Sequence, residues 1–302
     1  MLASIILMTY NSGLYVLETL ESIRSQSCLD FELIITDDCS TDNTVKLCRN
    51  WIDRYPNLPF KVTLLTADVN KGIPANCNKA IMKAEGKWIK IIAGDDLLNS
   101  DCLAHLKNAR LTEDQKIIVG RFIPFYLEIG KKIYCSRLPT EKQLKFFNFD
   151  AAKQHRLLLT ESFNFSPAAF IRRDLFQEGL FNERYRFLED LPFWIRSSKN
   201  GHKLYLLNED VMYYRTQHES MVFSGETFYN KRFMDGLYTF REEVVYREVP
   251  KTNIIFYQAE LMERINYWVI TNIFKNKKTK LSVLVSKVLL FPTIKRLKNI
   301  IK

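Results

Sequence analysis

Three features that the sequence lacks narrow the class of protein. Its six cysteines contain no Cys-x-x-Cys pair, so we expect neither a zinc site nor a disulfide framework, and a reducing compartment is favoured. The longest apolar run, residues 281–291, is interrupted by Ser and Lys, whereas a membrane-spanning helix needs about 20 apolar residues. The opening MLASIILMTYN has no basic region before its apolar part and no cleavage site, which argues against a signal peptide. We therefore predict a cytoplasmic protein that is soluble or peripheral.

Acidic residues are missing from the last part of the chain. Residues 271–302 contain nine Lys or Arg and no Asp or Glu, so of the net charge of +10 only +1 belongs to the first 270 residues. A basic tail of this kind suits an anionic membrane surface. The sequence contains no nucleic-acid-binding module and no pattern of interleaved aromatic and basic residues, so nucleic acid is not an expected partner.

Short apolar runs alternate with helical patterns over the first hundred residues. Runs at 2–9, 31–37, 60–66 and 87–94 predict strands that are buried on both faces. The first helix is predicted to begin at a cap supplied by Asn11 or Ser12. Its inward stripe is expected to be Leu14, Leu17, Leu20 and Ile23. Four strand–helix units of this length predict a parallel, doubly wound sheet with right-handed crossovers.

The pattern changes after about residue 115. Residues 116–137 are typical of strands with a hairpin near Gly130, residues 188–199 of a helix, and residues 204–215 of a further strand. After about residue 225 the chain reads as helices only. We predict an α/β domain over residues 1–220 and a helical region over residues 221–302 that ends in a basic amphipathic tail.

Polar residues follow each of the four predicted strands. They are Thr9, Tyr10 and Asn11 after the first strand, Asp37 and Asp38 after the second, residues 68–72 after the third, and Asp95 and Asp96 after the fourth. Any one of these groups is ordinary for a loop or a helix cap. Parallel strands present their carboxyl ends at one edge of the sheet, where ligands bind, so the four groups together predict a binding site.

Asp95 and Asp96 are adjacent carboxylates after an apolar strand, and they repel each other unless a cation or a proton intervenes. Carboxylate oxygens suit Mg²⁺ or Mn²⁺ that bridges a diphosphate. The alternative is that one of the two residues only caps the helix that follows near Ser100.

Several segments together resemble the family-two glycosyltransferases, which have the GT-A fold. The similarity starts in ILMTYNSGLYVLETLESIRSQSCLDFELIITDDCSTDNT and continues through NKGIPANCNKAI, KWIKIIAGDDLL, FIRRDLFQEGLFNERYRFLEDLPFWIR and VMYYRTQHES. These motifs occur in the family's order over residues 2–220. The resemblance implies a Rossmann-like, mostly parallel sheet with helices on both faces, followed here by a helical C-terminal extension.

The resemblance also implies an activity. The chain would be an inverting glycosyltransferase that moves a sugar from a nucleotide-sugar, with a UDP-sugar expected, to a hydroxyl of a glycan or lipid-linked acceptor. The implied pathway is the synthesis of a bacterial surface polysaccharide such as O-antigen or capsule, and the implied cofactor is Mn²⁺ or Mg²⁺.

The family's motifs assign roles to matching residues of this chain. Asp96 would coordinate the metal held by the donor diphosphate, and His218 would join the metal shell, although a lone histidine is more often structural. Cys77 stands where the family often has a base-contacting arginine. Either Lys71 or Asn76 compensates, or the base preference differs from the common uridine. The expected donor-binding residues are Thr9, Tyr10, Asn11, Asp38, Lys71, Asn78 and Asp95.

Glu189 and Asp190 match the acidic pair that supplies the family's catalytic base. An acceptor hydroxyl is a poor nucleophile, so a carboxylate must take its proton during attack at the anomeric carbon. We predict that Asp190 is this base and that Glu189 lies beside it. The alternative is that both are ordinary acidic residues in the first turn of a helix.

The metal motif of this chain departs from the family's common form, because Ala93 stands where that motif often has its first acid.

The C-terminal tail and the overall function each leave an alternative. Apolar residues recur at helical spacing within residues 281–301 among basic ones, which predicts a peripheral anchor to the inner face of the cytoplasmic membrane. A helix packed back on the catalytic domain would show the same pattern. For the whole chain, a nucleotidyltransferase is disfavoured because TYNSGLYV has one Gly and no Lys or Arg. A non-catalytic nucleotide-sugar-binding or membrane-associated scaffold is the remaining alternative.

Overall fold

The computed structural model describes residues 1–161, 163, 165–216 and 227–291 of the 302-residue chain. The chain divides into two compact units, Met1–Thr216 and Gln217–Lys302. The predicted boundary at residue 220 and the predicted metal ligand His218 both lie outside the described residues. Both therefore stay predictions.

One sheet runs through the first unit, and the strands described in it are nine. In chain order they are β1 (Ala3–Thr9), β2 (Phe31–Asp37), β3 (Val62–Leu65), β4 (Trp88–Ala93), β5 (Leu97–Leu98), β6 (Ile117–Glu128), β7 (Lys131–Tyr134), β8 (Ala169–Arg172) and β9 (Leu204–Arg215). Their order across the sheet is β3-β2-β1-β4-β8-β6-β9-β5, and β7 pairs with β6.

Helices connect the strands and make up most of the second unit. The described α-helices of the first unit are α1 (Val16–Arg24), α2 (Thr44–Arg54), α3 (Ile73–Ile81), α4 (Cys102–Asn108), α5 (Glu141–Leu144), α6 (Ala151–Thr160) and α7 (Asp190–Lys199). Those of the second unit are α8 (Lys231–Phe240), α9 (Tyr246–Glu248), α10 (Ile254–Trp268) and α11 (Lys280–Leu290). None of the described helices is long and apolar enough to cross a membrane.

The first four predicted strands form the parallel part of the sheet. β1 pairs in parallel with β2 and β4, and β2 pairs in parallel with β3. The register places Thr9 opposite Asp37 and Met8 opposite Ala93. Because these strands end level with one another, the polar residues that follow them emerge at a single edge of the sheet. The predicted parallel α/β sheet is confirmed.

The remaining strands extend this sheet on the β4 side. β8 pairs antiparallel with β4 and β6, while β9 pairs in parallel with β6 and antiparallel with β5. The β5–β9 pairing sets Leu97 opposite Tyr213. The end of β9 therefore lies beside the turn that carries Asp95 and Asp96, a neighbour 120 positions away that local sequence patterns do not reveal.

The first helix begins later than predicted. α1 starts at Val16, and its first turn has no side-chain cap from Asn11 or Ser12. Leu14 and Leu17, predicted to face inward, are exposed. The reason lies in the preceding loop, where the Ser12 backbone N–H donates to Thr44 Oγ1 over 2.8 Å and so is held by the start of α2.

Candidate active site

The loops after β1 and β2 are tied together by short hydrogen bonds. Thr9 is buried, and its hydroxyl donates to Asp37 Oδ2 over 2.8 Å. The Asn11 backbone N–H donates to Ser40 Oγ over 2.8 Å, and Asn11 Oδ1 accepts from the Thr41 backbone N–H, also over 2.8 Å. Thr9 and Asn11, both predicted donor-binding residues, thus shape the edge of the sheet.

Tyr10 has a different position from its two neighbours. Its side chain is half exposed at the same edge of the sheet. Asn11 has a φ of 51°, a left-handed conformation that asparagine tolerates better than most residues. An exposed aromatic ring at the predicted donor-binding edge offers a flat surface for a base.

Asp38 is buried and holds the loop that leads into α3. Its two carboxylate oxygens accept the backbone N–H groups of Lys71 and Gly72 over 2.9 and 2.7 Å. Gly72 has a φ of 93°, and a Cβ there would lie 2.5 Å from the carbonyl oxygen of Arg186. The predicted base-binding Asp38 therefore also fixes the loop of Lys71, whose side chain is exposed.

Asn78 joins this loop region to the segment before the second acidic pair. Its amide donates to the Phe181 carbonyl and to Glu183 Oε1, each over 2.9 Å, and its Oδ1 accepts from the Phe181 N–H over 3.0 Å. In addition, Arg186 donates to the Asn70 carbonyl over 2.7 Å. These contacts make Asn78 a positioning residue in the absence of a donor, and its predicted contact with the nucleotide stays a prediction.

Lys79 is a residue of this edge that sequence patterns did not single out. Its ammonium donates to the carbonyl oxygen of Asp37 over 3.1 Å. Burial lowers the pKa of Lys79, while the nearby Asp38 and Asp37 raise it. By contrast Cys77, at the position where the family often has arginine, is fully buried against Met8. A positive charge is therefore present at this edge of the sheet, on Lys79, two positions after Cys77 in α3.

Asp95 and Asp96 form the first acidic pair, at the end of β4. Asp96 is buried, and its Oδ1 accepts the Arg215 backbone N–H over 2.7 Å, while Arg215 Nε donates to the Asp95 carbonyl over 2.7 Å. Burial, and then the charge of Asp95, raise the pKa of Asp96 well above its usual value. Burial also raises the pKa of Asp95. The helix-capping alternative fails, because Asp101 stands at the cap position of α4.

This pair fits a divalent cation that shares its ligands with a substrate. Two like-charged carboxylates with raised pKa values gain most from a nearby positive charge. Within the described part of the chain no group of three or more His, Cys, Asp or Glu side chains is arranged to hold a metal. Mg²⁺ commonly takes one or two carboxylates and completes its shell with phosphate and water, so the donor set suits an ion that arrives with a diphosphate.

Arg215 and Lys90 are charged residues behind the first pair that sequence patterns also missed. The guanidinium of Arg215 pairs with Glu18 and lies 4.3 Å from the ring centre of Tyr15. Lys90 on β4 is fully buried and donates to the carbonyl of Pro167. Burial lowers the pKa of Lys90 to about 8, whereas Cys102 and Asp96 raise it. Both cations stabilise the ionised form of Asp96.

Glu189 and Asp190 form the second acidic pair, at the start of α7. Glu189 Oε1 accepts from the Ser166 hydroxyl over 3.3 Å, and Asp190 Oδ1 accepts from the Leu191 backbone N–H over 2.7 Å. Part of each residue is open to solvent, yet the surrounding protein raises the pKa of Glu189 to about 8 by burial, with the charge of Asp190 second. Burial also raises the pKa of Asp190. Near neutral pH Glu189 therefore keeps its proton.

Tyr214 is a buried neighbour of the acidic residues and was not predicted. Burial, and then the charges of Asp96, Asp95 and Glu189, raise its pKa to about 12. Its ring packs edge-on against Phe122 at 6.0 Å. The only sequence signal was the Tyr213-Tyr214 step at the end of a strand pattern, which is common in strands and indicates no function by itself.

The strand order β3-β2-β1-β4 and the acidic carboxyl edge define the class, an α/β protein with a Rossmann-like sheet. The chain belongs to glycosyl transferase family 2, whose family model matches residues 4–180. The resemblance and the GT-A fold inferred from the sequence are thereby confirmed.

Individual relatives are bacterial proteins. The chain is 28% identical over 238 residues to the Staphylococcus aureus poly(ribitol-phosphate) beta-N-acetylglucosaminyltransferase TarS, a match that covers 75% of this chain and 38% of TarS. The chain thus spans well under half of TarS. It is 25% identical to the putative teichuronic acid biosynthesis glycosyltransferase TuaG of Bacillus subtilis, with 73% of this chain and 81% of TuaG covered.

Solved structures agree on the fold. The S. aureus TarS 1-349 structure in complex with UDP-GlcNAc has a TM-score of 0.59 at 20% identity, covering 98% of this chain and 81% of that chain. The mannosyltransferase PcManGT from Pyrobaculum calidifontis, in complex with GDP-Man and Mn²⁺, has a TM-score of 0.51 at 16% identity, covering 96% and 69%. At these identities the likeness shows the shared fold alone.

Proposed function

We propose that this chain is a metal-dependent, inverting glycosyltransferase that transfers a sugar from a UDP-sugar to a hydroxyl of a glycan or lipid-linked acceptor. The proposed setting is bacterial surface-polysaccharide synthesis, in keeping with the names of TarS and TuaG. The observation that carries the proposal is the acidic pair Asp95 and Asp96 at the carboxyl edge of the sheet, with Asp96 buried and the pair held by Arg215 of β9.

The second pair supplies the base. An ionised Asp190 takes the proton from the acceptor hydroxyl as that oxygen attacks the anomeric carbon, and a positioned base of this kind contributes about 10²–10⁴-fold to the rate. The protonated Glu189 beside it leaves the negative charge on Asp190 and avoids a second adjacent charge. Attack from the face opposite the leaving group inverts the anomeric configuration.

The first pair holds the donor through a metal. When Mn²⁺ or Mg²⁺ is bound, it neutralises the charge that develops on the departing nucleoside diphosphate. Asp96 is the proposed metal ligand, Asp95 is proposed to contact the donor near its ribose, and His218 stays a predicted further ligand outside the described residues. Arg215 orients Asp96 through the bond from its backbone N–H.

The loops that follow β1 and β2 favour a nucleotide-sugar as the donor. Tyr10 offers an exposed ring, and Asp38 retains lone pairs for a base N–H beyond the two backbone groups that it accepts. The TarS structure with UDP-GlcNAc shares this fold and supports a uridine donor as the first to test. A cytoplasmic site, where nucleotide-sugars are made, follows from the same proposal.

A non-catalytic scaffold is the competing proposal. Ala93 and Cys77 stand where the family often has an acid and an arginine, and a decayed enzyme would lose such residues first. The retention of Asp38, Asp96 and Asp190 in one edge of the sheet favours the enzyme instead.

The test is release of nucleoside diphosphate from a panel of UDP-, GDP- and dTDP-sugars, with Mn²⁺, Mg²⁺ or a chelator and with membrane lipid extract as a source of acceptor. We expect metal-dependent release from one donor by the wild type and none by Asp96→Ala. If no donor is turned over and no nucleotide raises the melting temperature, the scaffold is correct.

A further inference from the structure

Helix α11 buries polar side chains and exposes apolar ones, the reverse of a helix that packs its apolar side on a hydrophobic core. Its buried residues are Ser282 and Ser286. Its outward stripe follows i, i+3, i+7 and i+10 spacing, which places the side chains on one side of a helix. This stripe consists of residues that are each more than half exposed: Leu281, Leu284, Val288 and Phe291.

Helix α10, which packs against α11 within the same unit, carries a second outward stripe. Its members recur at i, i+7, i+11 and i+14, again one side of the helix. They are Ile254, Leu261, Ile265 and Trp268. We call the two stripes together the docking surface. Exposed apolar side chains arranged in rows are typical of an interaction site, whereas single ones are ordinary.

Basic residues border the stripe of α11. Lys280 lies four residues before Leu284, and Lys287 lies three residues after it, so both adjoin the stripe on the helix. The segment that leads into α11 adds further exposed lysines, namely Lys275, Lys277 and Lys278. No acidic residue occurs from residue 271 to residue 302, and none of these five lysines forms an ion pair with another described residue.

We propose that the docking surface binds an anionic lipid bilayer. Its leucine, valine, phenylalanine and tryptophan side chains enter the boundary between head groups and acyl chains, and its lysines pair with the lipid phosphates. The proposed function supplies only the reason for membrane binding, because a lipid-linked acceptor lies in the membrane. The binding itself is argued from the docking surface alone.

Charge distinguishes this occupant from a second copy of the chain. A symmetric dimer buries the same patch of both subunits, so the lysines around the α11 stripe would face the same lysines of the partner copy. Like charges brought together oppose association. An anionic membrane instead supplies the missing negative charge and the apolar environment at once.

The experiment is co-sedimentation of the full chain with vesicles of phosphatidylcholine alone or mixed with phosphatidylglycerol. Val288→Glu places a charge in the stripe, and Ile129→Glu makes the same change at a fully exposed turn of the first unit. We expect binding to the anionic vesicles only, weakened by added salt, and about tenfold weaker for Val288→Glu. Ile129→Glu should bind like the wild type.

A second variant avoids the helix itself. Lys277→Gln with Lys278→Gln removes two charges before α11 and should weaken binding about tenfold, while circular dichroism reports whether each variant is folded. Equal binding of wild type, Val288→Glu and the double lysine variant would overturn the proposal, as would no binding by the wild type. The proposal would also be overturned if the wild type does not bind vesicles and light scattering shows a dimer that Val288→Glu dissociates. Donor turnover in lipid-free solution, measured on the same preparations, reports separately on the proposed function.

Discussion

The two compact units handle charge and apolar surface in opposite ways. The first unit, with a net charge of +3 over residues 1–216, buries ionisable groups such as Asp96 and Lys90 and covers its apolar strands. The second unit ends in residues with no acid, turns serines inward on α11 and leaves rows of leucine, valine and phenylalanine outward.

The contrast separates two functions, ligand binding by the first unit and binding to a surface by the second. A buried carboxylate is costly unless a partner offsets it, so the acids of the first unit fit a partner that brings positive charge, such as a divalent cation. An exposed apolar row is costly in water, so the rows of the second unit indicate a surface that removes water. Variants that alter one kind of work without the other sharpen this comparison.

The largest effect is expected for Asp190→Asn. The substitution keeps the shape of the side chain but removes the base, so the transfer rate should fall about 10²–10⁴-fold. Donor affinity should hold, because the donor diphosphate is assigned to the first acidic pair. Steady-state rates and UDP calorimetry on the same variant measure the two quantities, and an unchanged rate would remove Asp190 from the mechanism.

Asp38→Asn should have the next largest effect. The amide has one oxygen for the two backbone N–H groups that Asp38 accepts, so one buried donor loses its partner at a cost of about 1–3 kcal/mol in the free energy of unfolding. The loop of Lys71 and Gly72 should loosen, and UDP affinity should fall about tenfold. Denaturant unfolding and calorimetry provide the measurements. A variant with wild-type values for both would show that the loop needs no anchor.

Glu189→Gln should change the rate less than tenfold, since glutamine resembles the protonated acid. The raised pKa means that the folded protein keeps a proton that the unfolded chain releases above 4.5, so wild-type stability falls as pH rises from 4.5 to about 8. The variant lacks this loss. Melting temperatures from pH 4 to 9 should therefore show a stability advantage of Glu189→Gln that grows towards pH 8 and is absent at low pH. A constant difference across the range would contradict a protonated Glu189.

The smallest effect on activity is expected for Val288→Glu. Its side chain lies in the second unit, on the exposed stripe of α11, and donor turnover in lipid-free solution should match that of the wild type. If turnover in solution falls with this variant while the protein stays folded, the two units do not divide the work in the way proposed.

Local patterns predicted the elements that depend on local spacing. β2 and β9 have the bounds that the sequence indicates, residues 31–37 and 204–215, because residues typical of strands lie between turn residues in both segments. The start of α1 was wrong, since a bond from Ser12 to Thr44 outweighs the helical pattern.

Site residues that belong to a local motif were predictable from the sequence. Site residues that strand pairing brings in from distant parts of the chain were not. The acids at the strand ends follow from the alternation of strands and helices. Tyr214 and Arg215 reach the first acidic pair only because β9 pairs with β5, and Lys90 looks like one polar residue in an apolar strand. Such long-range neighbours leave no periodic signal in a single sequence.

The central claim is that the acidic edge of the first unit binds a nucleotide through a metal held by Asp96. Its most direct measurement is calorimetric titration of UDP into the wild type and Asp96→Asn, with Mn²⁺ and with a chelator. The account predicts binding to the wild type only with Mn²⁺ and at least about tenfold weaker binding to the variant. UDP binding of equal strength with the chelator, or equal binding to Asp96→Asn, would contradict it.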